Sequence, residues 1–232
     1  MRPIALRGRI NGMGDHLVHI GEVIVHGIVF DPKNGERLRT MDLNNLLQSV
    51  PRLFDLLAER EVPYVLVGGI AMLVYVEGRN TQDIDLIVPH DALEKLPEIV
   101  IEDDNSEFAR GKLGELPIDF LFTHNKLFDQ VAQKHAVAKQ FVERAIPCAT
   151  VEAIVMLKLF ALPSLYRQGR FEKVDLYQND VLRLMRDFSP KTEPMLQELA
   201  QHMLPSDVDE LRKILGQIVE EIAQSRRRFG GG

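Results

Sequence analysis

The chain has 232 residues, 45% hydrophobic and 27% charged, with a formal net charge of -6 at pH 7. That composition supports a sizeable buried core, and the acidic balance excludes a nucleic-acid binder of the polybasic kind, so any RNA contact must be local. One cysteine, Cys148, excludes an internal disulfide and is expected to be a passive core residue.

The longest apolar stretches, around residues 64–76 and 151–165, are interrupted by Gly, Glu, Lys or Pro well short of a membrane span. The N-terminus lacks a compact apolar segment followed by a small-residue cleavage site, so the expectation is a cytoplasmic chain. None of His16, His19, His26, His90, His124, His135 or His202 falls into a zinc-ligand pattern.

In chain order, residues 21–40 carry a hairpin signal, Gly21 to Phe30, then Asp31-Pro32-Lys33-Asn34-Gly35, then Glu36 to Thr40. Residues 1–40 are therefore expected as a small β extension, or as weakly ordered sequence upstream of Met41. From Asp42, the spacing of Leu43, Leu46, Leu47, Val50, Leu53, Leu56 and Leu57 predicts an amphipathic helix that Pro51 should kink or divide. It leads into a strand at Tyr64.

That strand, Val65-Leu66-Val67, enters Gly68-Gly69. A triphosphate needs backbone N–H donors at close range, which a Cβ would obstruct, so the pair suits a phosphate-facing turn. Residues 70–76 are apolar and predict a short helix stopped by Gly78, its N-terminus toward the anion. Arg79 and Thr81 lie in the following loop, placed to order it or to contact a nucleotide. Then comes Asp83-Ile84-Asp85. Side chains alternate along a strand, so the two carboxylates share a face, separated by roughly 6.6 Å of rise. One hard divalent cation such as Mg2+ spans both.

Pro89 should end this strand, with a short helix from Asp91 and an exposed acidic turn at Glu102-Asp103-Asp104-Asn105. Asp119 lies in the apolar run Leu116 to Phe122, where the bland reading is a satisfied buried acid. A helix is expected from Asn125 to His135 and a strand over residues 136–146. Lys158 sits in an apolar helix, where the bland reading is a snorkelling surface lysine. The last helix should start with Ser206 as N-cap, with Val208, Leu211, Leu215, Ile218 and Ile222 along one stripe. Arg226-Arg227-Arg228 reads as a solvated helix end, with a phosphate patch as the alternative, and Gly230-Gly231-Gly232 as a frayed tail.

Gly68-Gly69 alone is an ordinary turn, and Asp-Ile-Asp alone a solvated strand face; their joint spacing, with Asp119 later, is the informative signal. Over residues 41–186 the chain resembles the DNA polymerase beta nucleotidyltransferase superfamily, whose signature is a glycine pair followed by Asp-hydrophobic-Asp. Gly69-Ile70-Ala71, Arg79, Thr81 and Asp83-Ile84-Asp85-Leu86 look most like its AbiEii/AbiGii bacterial toxins. The resemblance implies an α/β (α+β) fold: a polymerase-beta-like nucleotidyltransferase core with a mixed sheet and helices, then a C-terminal helical part. The expected division is 1–40 extension, 41–146 core and 147–232 helical region.

The resemblance further implies a third carboxylate, for which Asp119 is the candidate as ligand or general base, and a downstream lysine, matched by Lys158 as a phosphate contact. Arg170, Lys173, Asp175 and Asp180 match its later basic and acidic segment. Two departures stand out. Ile70 replaces the serine that many members place after the glycines, and Asp175 and Asp180 are more widely spaced than in the toxins, so these two acids are not counted as site residues. The implied activity moves an NMP from an NTP to an acceptor hydroxyl, with Gly68, Gly69, Arg79, Thr81 and Lys158 on the nucleotide and one or two Mg2+ on Asp83, Asp85 and Asp119. Implied acceptors are RNA, such as a tRNA end, or a protein, with an antitoxin protein as partner. Alternatives are a small molecule such as an aminoglycoside, or a degenerate domain binding a nucleotide or a partner.

Overall fold

In the computed structural model, which describes residues 17–229, the first element is a helix. Ile20, Ile24 and Ile28 recur every four residues and are fully buried along α1 (Ile20–Val29), which packs on α2 (Leu43–Glu59). The hairpin expected over residues 21–40 is therefore corrected. β-branched Val23, Ile24, Val25 and Ile28 favour a strand locally, and packing against α2 overrides that preference. The expected hairpin turn is instead a 3₁₀ turn at Pro32–Asn34, with Asp31 accepting from the Lys33 amide at 2.9 Å, and a second follows at Arg37–Arg39.

Asp42 caps α2 by accepting from the Asn44 and Asn45 amides. Pro51 does not divide this helix, because the buried stripe of Leu46, Val50, Leu53 and Leu57 continues through it. After α2 the chain forms β1 (Val65–Val67), α3 (Gly68–Leu73) and β2 (Ile84–Val88). α3 ends five residues before Gly78. Its last turn loosens at Val74-Tyr75-Val76, where the Tyr75 hydroxyl donates to the Ala149 carbonyl. Pro89 closes β2 as expected, and a 3₁₀ segment follows at His90–Lys95.

The remaining strands are β3 (Val100–Asp104), β4 (Phe108–Leu113), β5 (Leu116–Phe122), β6 (Ala136–Gln140) and β7 (Ala145–Ala149). All seven form one mixed sheet in the order β3-β4-β5-β2-β1-β7-β6. β2 runs parallel to β5 and β1 parallel to β7; the other pairs are antiparallel. The acidic segment expected as a turn is edge strand β3, where exposed carboxylates discourage further strand pairing. Residues 136–146, expected as one strand, double back as the β6–β7 hairpin.

The helix expected from Asn125 to His135 is α4 (Lys126–Lys134), and Asn125 caps it by accepting from the Leu127 amide. The C-terminal part is helical: α5 (Val151–Arg167), α6 (Phe171–Phe188), α7 (Thr192–Leu199) and α8 (Pro205–Phe229). The Val208, Leu211, Leu215, Ile218 and Ile222 stripe is buried, and α8 packs on α6 and α7. α8 starts at Pro205, ahead of the expected Ser206 cap, because the fixed φ of proline suits a first helical position. Arg226, Arg227 and Arg228 are exposed in its last turn. Burial pushes the Cys148 thiol up to about 12, consistent with an inert core residue. Among the described residues, no helix is long and apolar enough to cross a membrane. The expected Gly230-Gly231-Gly232 tail and residues 1–16 lie outside the described residues.

Candidate active site

Strand register assembles the site. Parallel pairing of β2 with β5 sets Asp85 opposite Asp119, Ile84 opposite Ile118, and Leu86 opposite Phe120. The four apolar side chains are fully buried on one face, which forces both carboxylates onto the other. Asp83, two residues before Asp85, returns to that same face. Oxygens of Asp83, Asp85 and Asp119 all lie within 4.8 Å of one another.

The row extends onto β4, where Arg110 sits opposite Asp119. Its Nε donates to Asp119 Oδ1 and its Nη2 to Asp119 Oδ2, both at 2.8 Å. This charge-assisted fork fixes the carboxylate in position. Arg110 was not among the expected site residues, although a signal was present. Gly114-Glu115 is a two-residue loop joining paired Leu113 and Leu116, and counting three residues back along each arm reaches Arg110 and Asp119.

Gly68 is required for a local reason. Its φ is +66°, and a Cβ there would overlap the Asp85 carboxylate. The Gly69 amide donates to Asp85 Oδ2 at 3.3 Å, so the glycine turn is shaped around the acid as well as open toward the site. Gly68→Ala is expected to cost about 2 kcal/mol or more, the left-handed backbone strain and the clash acting together. Urea denaturation of the variant measures this.

Thr81 is buried and its Oγ1 donates to Asp83 Oδ1 at 2.9 Å. Arg79 and Lys158 converge elsewhere: Arg79 Nε lies 3.0 Å and Lys158 Nζ 2.7 Å from the same oxygen, Asp180 Oδ2. Lys158 is only 5% exposed, which removes the reading of a snorkelling surface lysine. Its ammonium also sits 4.3 Å from the Tyr177 ring centroid. Asp180, set aside on spacing, is thus the shared partner of two buried cations, whereas Asp175 is exposed. A helical period explains the difference, since Tyr177 and Asp180 are three residues apart on the face of α6 that meets α5, and Asp175 is off it.

Although part of Asp85 stays accessible from the mouth of the site, its carboxyl is pushed up to about 7, first by lost hydration and then by Asp83 and Asp119, with Lys158 and the Gly69 amide opposing the shift. Burial pushes Lys158 down, opposed by Asp180, and burial pushes the Tyr177 hydroxyl up to about 12. The Asp119 fork raises Arg110. Three converging oxygen donors, of which only Asp119 is ion-paired among the described residues, fit a hard divalent cation. An adjoining cavity of about 120 Å³ runs from Gly68, Asp85 and Lys158 to Phe128, Phe160 and Tyr177.

Neither a family model nor a curated protein matches the chain. Among solved structures it is similar to an antigenic nucleotidyltransferase-like protein from Paracoccidioides brasiliensis, with 16% identity, a TM-score of 0.50, and coverage of 77% of this chain and 88% of that one. It is also similar to ANT(2″)-Ia in complex with adenylyl-2″-tobramycin, with 14% identity, a TM-score of 0.46, and coverage of 67% and 95%. The solution structure of the antibiotic-resistance factor ANT(2″)-Ia gives 14%, 0.44, and 91% and 100%. The first of these likenesses, at 0.50, shows a nucleotidyltransferase-type fold: a mixed sheet with helices, followed by a helical C-terminal region.

Proposed function

We propose that the chain is a metal-dependent nucleotidyltransferase that moves an NMP from an NTP to an acceptor hydroxyl. The observation that carries this reading is the convergence of Asp83, Asp85 and Asp119 beside the Gly68-Gly69 turn. In the reaction the acceptor hydroxyl gives up its proton to solvent, its oxygen bonds to the α-phosphorus, the bond from the α-phosphorus to the bridging oxygen breaks, and pyrophosphate departs. Mg2+, as one or two ions held by the three carboxylates, would supply charge neutralisation on the phosphate oxygens.

The remaining roles belong to side chains and backbone. Lys158 and Arg79 set two cations against the single carboxylate of Asp180, which leaves positive charge beside the glycine turn for a triphosphate. Thr81 orients Asp83. Asp119, with both oxygens accepting from Arg110, is held in position as a ligand, and fewer of its lone pairs are left to take the hydroxyl proton.

For the acceptor, the resemblance to AbiEii/AbiGii toxins favours RNA or a protein, with an antitoxin restraining the enzyme in the cytoplasm. A polycationic aminoglycoside calls for an acidic pocket. The cavity beside Asp85 is instead walled by Leu121, Phe128, Leu157, Phe160 and Tyr177 and carries the Lys158 ammonium, which suits such an acceptor poorly. A degenerate, purely binding domain has no need of three intact converging carboxylates.

The test is incubation with each α-labelled NTP and Mg2+, offered total RNA, cell lysate or aminoglycosides. Label is expected on RNA or protein, and Asp83→Ala should lower transfer by about 10³-fold or more. Absence of label from every acceptor, or undiminished transfer by Asp83→Ala, refutes the reading.

A further inference from the structure

We infer that α1 and the 3₁₀ turn after it belong to the working site: through Gly27, Asp31 and Asn34 they hold the Thr81-Gln82 loop that sets the position of Asp83. The inference rests on reading Asp83, Asp85 and Asp119 as a cation-binding group. Of those three acids, Asp85 and Asp119 are positioned by the strand ladder itself. Asp83 is not, because β2 pairing begins at Ile84. Its carboxylate is aimed instead by the Thr81 hydroxyl at 2.9 Å, so whatever fixes Thr81 fixes Asp83.

Two contacts from the N-terminal segment do so. Gly27 lies in the interior of α1, where glycine disfavours a helix. Its presence has a steric cause: the α1 backbone rests directly on the Thr81 carbonyl, and a Cβ on residue 27 would overlap that oxygen and lie 2.8 Å from its carbon. Beside this contact, the Gln82 amide is clasped from both ends. Its Nε2 donates to Asp31 Oδ2 at 2.7 Å, and its Oε1 accepts from Asn34 Nδ2 at 3.0 Å. Asn34 Nδ2 also donates to the Ile28 carbonyl, tying the clasp to the end of α1, and Asp31 Oδ1 accepts from the Lys33 amide. The loop is thus pressed from beneath by a helix and gripped at its side. Gly27, Asp31 and Asn34 act as positioning residues, two steps removed from the cation.

The experiment titrates Mn2+ into the full chain, free of nucleotide. Wild type is compared with Gly27→Ala, with the Asp31→Ala/Asn34→Ala double variant, and with Gly35→Ala, where a Cβ meets nothing nearer than the Pro32 carbonyl oxygen at 3.7 Å. Outer partners of metal ligands typically change affinity 10- to 100-fold, so Gly27→Ala and the double variant should bind Mn2+ about tenfold more weakly, and Gly35→Ala like wild type. The double variant keeps the glycine, so it answers the question even if Gly27→Ala fails to fold. A lowered melting temperature with unchanged Mn2+ affinity would mark a merely structural contact and overturn the inference. Absence of Mn2+ binding by wild type would instead remove the cation site, and the inference with it.

Discussion

Asp85→Asn is expected to stabilise the metal-free chain and to abolish transferase activity. The folded carboxyl is pushed up to about 7, first by burial and then by Asp83 and Asp119. The unfolded chain releases this proton near pH 4, whereas the folded chain keeps it until about pH 7. Folded protein therefore loses stability as pH rises through that window, and the full penalty is present above it. Asparagine removes the charge, still accepts from the Gly69 amide, and needs no more room than the acid beside Gly68. A gain on the order of 2 kcal/mol at pH 8 should shrink toward pH 4. Thermal melts with EDTA at pH 5 and pH 8 measure it, and a variant less stable than wild type at pH 8 would contradict the argument. In wild type, cation affinity should strengthen with pH up to about 7, as Asp85 gives up its proton.

Asp180→Ala should be among the most destabilising single substitutions. It strands Lys158 and Arg79, both largely buried, without their common carboxylate. Removing one partner of a buried ion pair typically costs about 3 to 5 kcal/mol. Lys158, already pushed down by burial, would then lose its proton on folding. The unfolded chain would hold more protons than the folded one, so the deficit should be large at pH 7 and shrink toward pH 10. Urea denaturation at both values tests the size and the sign. A loss under about 1 kcal/mol would mean that solvent reaches the pair. Lys158→Met combined with Asp180→Leu should recover only the part of the loss due to Lys158, because Arg79 stays largely buried without its carboxylate, and should not restore nucleotide binding.

Short-range pattern carried a large share of the site. Alternation placed Asp83 and Asp85 on one face, the glycine pair marked the turn, and Asp119 stood out as an acid in an apolar strand. The same reasoning recovered α2, α4, the strand ending at Pro89 and the buried stripe of α8. It failed where two local readings compete. Residues 20–29 hold β-branched side chains that suit a strand and a four-residue spacing that suits a helix, and the surface of α2 selects the helix. The acidic edge strand β3 and the β6–β7 hairpin were missed for a related reason, since strands at the margins of a sheet carry little apolar signature.

The sequence by itself determined which acids could act together on one strand, where the backbone needed glycine, and which helices would seek a buried partner. Those properties follow from chirality, side-chain alternation and helical period, all set within a few residues. Only the tertiary structure decided that Arg110 grips Asp119, that Asp180 gathers Lys158 and Arg79, and that α1 rests on the Thr81 loop. Those contacts join distant elements through strand register and helix packing, which no stretch of a few neighbouring residues sets.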